Sequence, residues 1–367
     1  MTTRPLHIGI DARLTHYRIG GISTYIRELV KALEALDECN RYTIFHSRKV
    51  PEPITSRFAS ASLWTPPHHR LERLALSAEL MRFRLDVLHS PDFIPPLRGA
   101  KRHVITVHDL TFLHEPTHKD RAAQRYYNGQ IRQAVQQGDH ILSVSEATKS
   151  DLITMLNVPA EKITVQPHGV DPRFRPLNPE ERAEAQKRLG LPADYILFIG
   201  TMEPRKNIPA LLEAYICLKN PPPLVLAGRP GWLFEPTQQR IDQMQRQGMN
   251  IIQRQDIEDA DLNALYSLAS VLVLPAFYEG FGLPALEAMA SGTPVIVSKT
   301  SSLPEVVGDA GLLTDPHNPA ELADALQRVL TDTAQQATMR QRGLERARGF
   351  TWERSAQIAL SVYTALA

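Results

Sequence analysis

Residues 270–298 read SVLVLPAFYEGFGLPALEAMASGTPVIVS. Val271–Leu274 is an unbroken apolar run of strand length, as expected of a strand buried on both faces. A loop carrying Gly280 and Gly282 follows. Pro284 then falls in the first turn of a helix, where its missing N–H costs little. That helix, LPALEAMASG, leads into a second apolar run, TPVIVS. Strand, helix and strand, with both strands apolar throughout, is the unit from which a parallel sheet covered on both faces is built.

The same alternation fills the chain. Before residue 172 the apolar runs are HIGID, YTIFHS, DVLHS, HVITVHD, HILSVSE and ITVQPHGV. After it they are YILFIGT, PLVLAG, NIIQRQ, SVLVLPA, TPVIVS and AGLLTD. Between runs the period changes. Ile22, Tyr25, Ile26, Leu29, Val30 and Leu33 fall on one face of a helix, and Leu262, Leu265, Tyr266 and Leu268 suggest another. The series restarts after PHGVD, where a polar, proline-rich stretch from Pro172 reads as a linker containing a short charged helix. A chain of 367 residues is also too long for one core. The expected fold class is α/β, with two doubly wound, Rossmann-like domains, residues 1–172 and 173–350, and a cleft between them. Ligands in such sheets bind outside the carboxyl ends of the strands.

Composition narrows the function classes. The chain is 43% hydrophobic and 22% charged with a net charge of +1, so nothing in it calls for nucleic acid. Cys39 and Cys217 lie far apart in no metal-like spacing, which fits a reducing cytoplasm. MTTRP leads straight into HIGID without a charged-then-apolar leader. No run approaches the roughly 18 apolar residues of a membrane span. Any membrane contact is therefore expected to be peripheral. HHRLERLALSAELMRFR, with its arginines beside leucines, either lies on an anionic membrane or packs on its sheet. Thirteen histidines include no H-E-x-x-H pair, and no metal is expected.

Several motifs stand just after strands. Gly280-Phe281-Gly282-Leu283 opens a helix whose free amides and dipole favour an anion such as a phosphate. Glu279 precedes the turn, where it can accept from hydroxyls, and Glu287 is expected in the first helical turn, where it can accept from a ribose. On spacing alone, both serve equally as charges suited to a helix start. Gly280-x-Gly282-x-x-Ala285 also fits a dinucleotide fingerprint, but the next strand ends at Ser298-Lys299 without the acid that fingerprint requires. In GTMEPRKN, Arg205 and Lys206 offer a planar fork and a point charge for a diphosphate. RIGGISTYIREL sets Gly20-Gly21 before a long helix, where backbone can approach a phosphate closely. TVHDL puts His108-Asp109 at a strand end, and the absence of G-x-S-x-G argues against a serine nucleophile.

Taken in order, these motifs resemble the retaining glycosyltransferases of family four, which have the GT-B fold. The resemblance covers essentially the whole chain. Its most specific element is the pair Glu279 and Glu287 within YEGFGLPALEAMASGTPVIVS, supported by SVSEATKSDL, PHGVD and EPRKN. GIDARLTHYRIGGISTYIREL with TVHDLTFL looks most like the mannosyltransferases of bacterial O-antigen and capsule assembly, which use GDP-mannose.

The resemblance implies a role for each residue. Glu279 holds hydroxyls of the donor sugar and Glu287 binds the nucleotide ribose. Arg205 and Lys206 neutralise the diphosphate. Gly20 and Gly21 approach the phosphates, His108 lies beside the sugar, and the amides of Gly280 to Leu283 add to the anion site. It implies a nucleotide-sugar co-substrate, no metal, and a glycan or lipid-linked acceptor. It also implies a last helix, about residues 351–367, that crosses back to the first domain, and a cytoplasmic enzyme at or near the inner face of the membrane. Arg254-Gln255-Asp256-Ile257 departs from the family at the base-contacting position, which leaves a uridine donor open. A sugar-nucleotide epimerase or hydrolase and a non-catalytic binder are the alternatives from other classes.

Overall fold

The computed structural model describes residues 4–16, 20–49, 53–114 and 121–367, without the side chains of 121–125. The chain divides into two units, Met1–Gly169 with Thr351–Ala367, and Val170–Phe350. Each is built on one parallel sheet.

In the first unit the strands are β1 (His7–Asp11), β2 (Arg41–Ser47), β3 (Ala59–Leu63), β4 (Leu85–Ser90), β5 (Ala100–Val107), β6 (His140–Ser143) and β7 (Ile163–Val165). Their order across the sheet is β3-β2-β1-β4-β5-β6-β7. The chain winds outward from β1, then returns to β1's other side with β4, and the register pairs Ile8 with Tyr42 and with Val87. β4 is buried along its whole length, as a central strand covered on both faces must be. β3 carries no apolar run. Its Ala-Ser alternation is mostly exposed, and an edge strand with one neighbour needs nothing more.

The helix Gly21–Leu36 buries Tyr25, Ile26, Leu29, Val30 and Leu33, the stripe expected from the sequence, while Ile22 at its start is only partly covered. The C-terminal helix Trp352–Leu366 adds Trp352, Ala356, Ala359 and Tyr363 to the same core. Full burial of one large apolar side chain contributes about 1.5–3 kcal/mol, so this shared face fixes both helices on the sheet.

The second unit holds β8 (Ile196–Ile199), β9 (Leu224–Ala227), β10 (Ile251–Arg254), β11 (Val271–Leu274), β12 (Val295–Ser298) and β13 (Leu312–Thr314). Their order is β10-β9-β8-β11-β12-β13. Ahead of β8 runs the charged helix Pro179–Leu189, capped by Asn178 and ended by Gly190 in the left-handed conformation. β8 and β11 are neighbours, with Val271 opposite Ile196 and Leu272 opposite Leu197. The winding direction reverses between them, and such a reversal leaves a crevice at the carboxyl ends of the two strands.

Candidate active site

Two loops leave that crevice, one after β8 and one after β11. Each is pinned to the other by backbone geometry that only the fold reveals. The β8 loop makes a short turn, Pro204–Lys206, and ends at Asn207 in the left-handed conformation, φ 55°. The Asn207 amide donates to the carbonyls of Pro275 at 3.0 Å and Pro316 at 2.7 Å. The Phe277 amide donates to the Arg205 carbonyl at 2.8 Å. The two loops are thus laced together along their length.

The lacing brings Arg205, Lys206 and Glu279 into contact. Arg205 donates through one terminal nitrogen to the Tyr278 carbonyl at 3.1 Å and to Glu279 Oε2 at 3.2 Å. The Lys206 ammonium donates to Glu279 Oε1. On its other side the Arg205 guanidinium pairs with Glu203 at 2.5 Å, and Trp232 Nε1 donates to Glu203 Oε2 at 3.0 Å. The β12 loop closes the set. The Glu279 amide donates to Ser301 Oγ at 2.9 Å, and Ser302 Oγ donates to the Glu279 carbonyl at 2.9 Å. The chain segments following β8, β9, β11 and β12 therefore all hold this cluster.

Lys206 and Glu279 are buried. Burial alone would raise the Glu279 carboxyl, but the Lys206 and Arg205 charges outweigh it and hold it below the usual carboxylate range. Burial pulls the Lys206 ammonium down, with Glu279 opposing. Two cations balance two carboxylates, so the cluster is neutral as it stands. A carboxylate has about four acceptor sites and an ammonium three donors. Glu279 can therefore hold both cations and still accept from hydroxyls, and Lys206 can still donate to an anion.

Gly282 has φ 97°, and a Cβ there would come within 2.7 Å of Leu303. Glycine is required on both counts. The helix runs from Leu283 to Ala290, starting where LPALEAMASG starts, with Pro284 in its first turn. Glu287 is the fifth residue of that helix and lies in its second turn rather than the first, which corrects the sequence expectation. It accepts from the Tyr266 hydroxyl at 2.7 Å. Burial pushes its carboxyl up to about 7, against the Tyr266 hydrogen bond and the Arg173 charge. Gly280, Phe281, Gly282 and Leu283 lead into a helix start whose first amides have no intrahelical partner.

In the first unit, His108 follows β5. Its Nε2–H donates to the Pro91 carbonyl at 2.8 Å, which leaves Nδ1 as the acceptor. Burial lowers its pKa, so the ring is neutral near pH 7. Asp109 accepts from the Thr111 amide at 3.0 Å and shapes the loop. Tyr25, in the second turn of the helix that Gly21 opens, packs edge-on against His108 at 5.0 Å. His108 and that helix start therefore belong to one edge of the sheet. Arg18 and Ile19 lie outside the described residues. Gly20 has φ 164°, extended backbone that any residue adopts, and a Cβ there would meet nothing within 4 Å. The fold of the first unit does not demand glycine at this position.

Sequence reasoning passed over Glu203, Asn207, Tyr266, Trp232 and Ser301. Glu203 and Asn207 stood inside GTMEPRKN, and Tyr266 was counted only as an apolar helix position. Trp232 and Ser301 carried no local signal, because the order of the strands is what brings them in. Among the described residues no group of three or more His, Cys, Asp or Glu side chains is placed to hold a metal ion.

Comparison with known proteins adds an independent line. The pattern of the family described as Glycosyl transferases group 1 matches residues 180–346, and that of Glycosyltransferase Family 4 matches residues 19–174. The O-antigen chain mannosyltransferase B of Escherichia coli is 33% identical, over 95% of this chain and 97% of that protein. Sucrose-phosphate synthase from Thermosynechococcus elongatus superposes with a TM-score of 0.79 at 23% identity, over 98% of this chain and 99% of that one. WaaG, a glycosyltransferase involved in lipopolysaccharide biosynthesis, superposes with a TM-score of 0.77 at 16% identity, over 97% and 99% of the two chains. At those identities the two superpositions speak for the fold alone.

Proposed function

The chain belongs to the family-four glycosyltransferases of GT-B fold, enzymes that move a hexose from a nucleotide sugar to a glycan or lipid acceptor, and on that premise we propose that it is a retaining mannosyltransferase using GDP-mannose. The observation that carries the reading is the Arg205–Lys206–Glu279 cluster at the sheet reversal, directly before a helix start. A diphosphate leaving group gains negative charge as the sugar departs. Cations already fixed on Glu279 meet that charge without reorganising, which is where such groups contribute most. The mannose part rests on the full-length relative, an O-antigen chain mannosyltransferase.

In this reading Arg205 and Lys206 neutralise the diphosphate, and the amides of Gly280, Phe281, Gly282 and Leu283 add donors to it. Glu279 orients sugar hydroxyls with its remaining acceptor sites. Glu287 accepts from the ribose. The backbone at Gly20-Gly21 approaches a phosphate, and His108 faces the sugar. The bond from the anomeric carbon to the phosphate oxygen breaks. The acceptor oxygen bonds to that carbon on the same face, and its proton passes to the departing phosphate. Positioning and charge, rather than a pair of glycosidase carboxylates, supply the rate. The acceptor is a hydroxyl of a glycan or lipid-linked oligosaccharide in polysaccharide assembly, reached in the cytoplasm at the inner face of the membrane.

A uridine donor is the second reading. Arg254 is tied to the Asp256 carboxylate at 2.8 and 3.0 Å and to the Leu189 carbonyl at 2.7 Å, so it is not poised to read a base. Thermal shift against GDP, UDP, ADP and their hexose conjugates separates the two, because a ligand that binds only the folded state raises its stability. Preference for GDP and GDP-mannose supports the proposal. Preference for UDP discards the mannose donor and keeps the family.

A further inference from the structure

In the second unit a tyrosine stands where the core needs only a ring. Tyr266, on the short helix Leu262–Leu268, is fully buried and meets Phe174 edge-on at 5.8 Å. A phenylalanine would fill that space. The hydroxyl is an added polar group, and burying one without a partner is unfavourable. Its partner is Glu287 Oε2 at 2.7 Å, and among the described residues that is the hydroxyl's only hydrogen bond.

The tyrosine is fixed independently of that bond. Thr293 Oγ1 donates to the Tyr266 carbonyl at 2.6 Å, which ties the short helix to the segment before β12. Ser291 Oγ donates to Asn263 Oδ1 at 2.9 Å, which ties it to the end of the helix that carries Glu287. Ser267 Oγ donates to the Arg175 carbonyl at 3.1 Å. With the backbone held on three sides and the ring packed, the hydroxyl has one direction. Glu287 differs. It is partly exposed, and its long side chain can turn its oxygens to water. The rigid partner therefore orients the flexible one.

No other neighbour does this. Arg173 lies close enough for its charge to lower the Glu287 carboxyl, and Asp259 and Asp171 close enough to raise it. The Arg173 guanidinium is occupied, however. It grips Asp259 through both terminal nitrogens and pairs with Asp171 at 3.6 Å. Among the described residues no donor other than the Tyr266 hydroxyl reaches the Glu287 carboxylate, so Oε1 keeps its acceptor sites.

We infer that Tyr266 is a positioning residue for the donor: its hydroxyl holds Glu287 by Oε2 and presents Oε1 to the ribose hydroxyls of the bound nucleotide sugar. The inference rests on the ribose role proposed for Glu287. Tyr266 acts through that carboxylate and touches no reacting atom. A carboxylate already turned toward its ligand loses little freedom when the ligand arrives, and that is what the hydroxyl contributes.

The test is calorimetry of Tyr266→Phe with GDP and with dideoxy-GDP, which lacks both ribose hydroxyls, or with the uridine pair should the thermal shift select that base. The ring and its packing stay, and only the hydroxyl goes. GDP affinity should fall about tenfold, the size of one hydrogen bond to a charged group. The dideoxy nucleotide offers Glu287 nothing to hold, so wild type and variant should bind it within about twofold of each other. In turnover the KM for the donor should rise with kcat nearly unchanged. Equal losses for the two nucleotides mean a packing role and overturn the inference. So does an unchanged GDP affinity. A variant that does not fold shows the hydroxyl to be structural and overturns it as well. Glu287→Gln separates the two levels. If it weakens GDP binding while Tyr266→Phe does not, the ribose role stands and the inference falls. If neither weakens it, and wild type binds the dideoxy nucleotide as tightly as GDP, the ribose role falls and the inference falls with it.

Discussion

Lys206→Met separates the two jobs that the charge cluster performs. The methionine keeps most of the side-chain volume and removes the ammonium that donates to Glu279. Removing one partner of a buried ion pair costs about 3–5 kcal/mol when the other is left alone. Arg205 still reaches Glu279 Oε2 at 3.2 Å, so the loss should fall at or below about 3 kcal/mol. The effect on turnover should be of similar size but distinct in origin. Loss of one preorganised donor at a developing charge costs about 100–1000-fold in rate, equal to about 2.7–4 kcal/mol.

The pH dependence supplies a check on the stability term. Glu279 is held below the usual carboxylate range, so its contribution is fully present above the unfolded-state pKa and is lost as pH falls through the folded-state value. In Lys206→Met burial dominates, and the Glu279 pKa should rise. The gap in stability between wild type and variant should therefore be widest near neutral pH and close under acid. Urea unfolding across pH measures the gap, and nucleotide release with sugar acceptor measures turnover. A variant within threefold (roughly 0.7 kcal/mol by the tenfold-per-1.36 conversion) of wild-type turnover refutes the role given to Lys206. A gap that widens toward acid refutes the assigned electrostatics.

Glu287→Gln should weaken nucleotide binding in calorimetry more than it slows turnover at saturating donor. Because the Glu287 carboxyl is pushed up to about 7, wild-type stability should fall as pH rises through 7, and the neutral glutamine should melt higher than wild type at alkaline pH with the difference closing toward acid. Gly20→Ala should leave the melt within about 0.5 kcal/mol of wild type, since its Cβ meets nothing, yet lower kcat/KM; unchanged kcat/KM removes Gly20 from the phosphate site. Asn207→Ala should cost about 2–3 kcal/mol in urea unfolding, because it deletes two hydrogen bonds that pin the β8 and β11 loops and puts alanine at φ 55°. It should also cut turnover by unlacing Arg205 from Glu279.

The strands were legible because both sheets are parallel and covered, so that Val271–Leu274 or Leu85–Ser90 must be apolar on each face. Ala59–Leu63 was not, because an edge strand meets one neighbour and needs no apolar pattern. Arg205, Lys206 and Glu279 could be picked out by their place after strands. Their contact could not, since it depends on β8 lying beside β11 across some seventy intervening residues, about the separation of Lys206 and Glu279. Glu287 was placed one turn too early although the helix start at Leu283 was read correctly, because about 3.6 residues complete a turn and Glu287 is the fifth residue. The resemblance to a known family supplied the roles of the residues, and the geometry supplied their partners.

The most direct test of the central claim follows the anomeric centre. Wild-type protein and Lys206→Met are incubated with GDP-mannose and a lipid-linked oligosaccharide fraction, and the new linkage is read by the anomeric carbon–proton coupling in the NMR spectrum. The account predicts transfer by wild type with the donor's α configuration kept, and transfer at least about 100-fold slower in the variant. A β-linked product, or equal transfer by the two proteins, contradicts it.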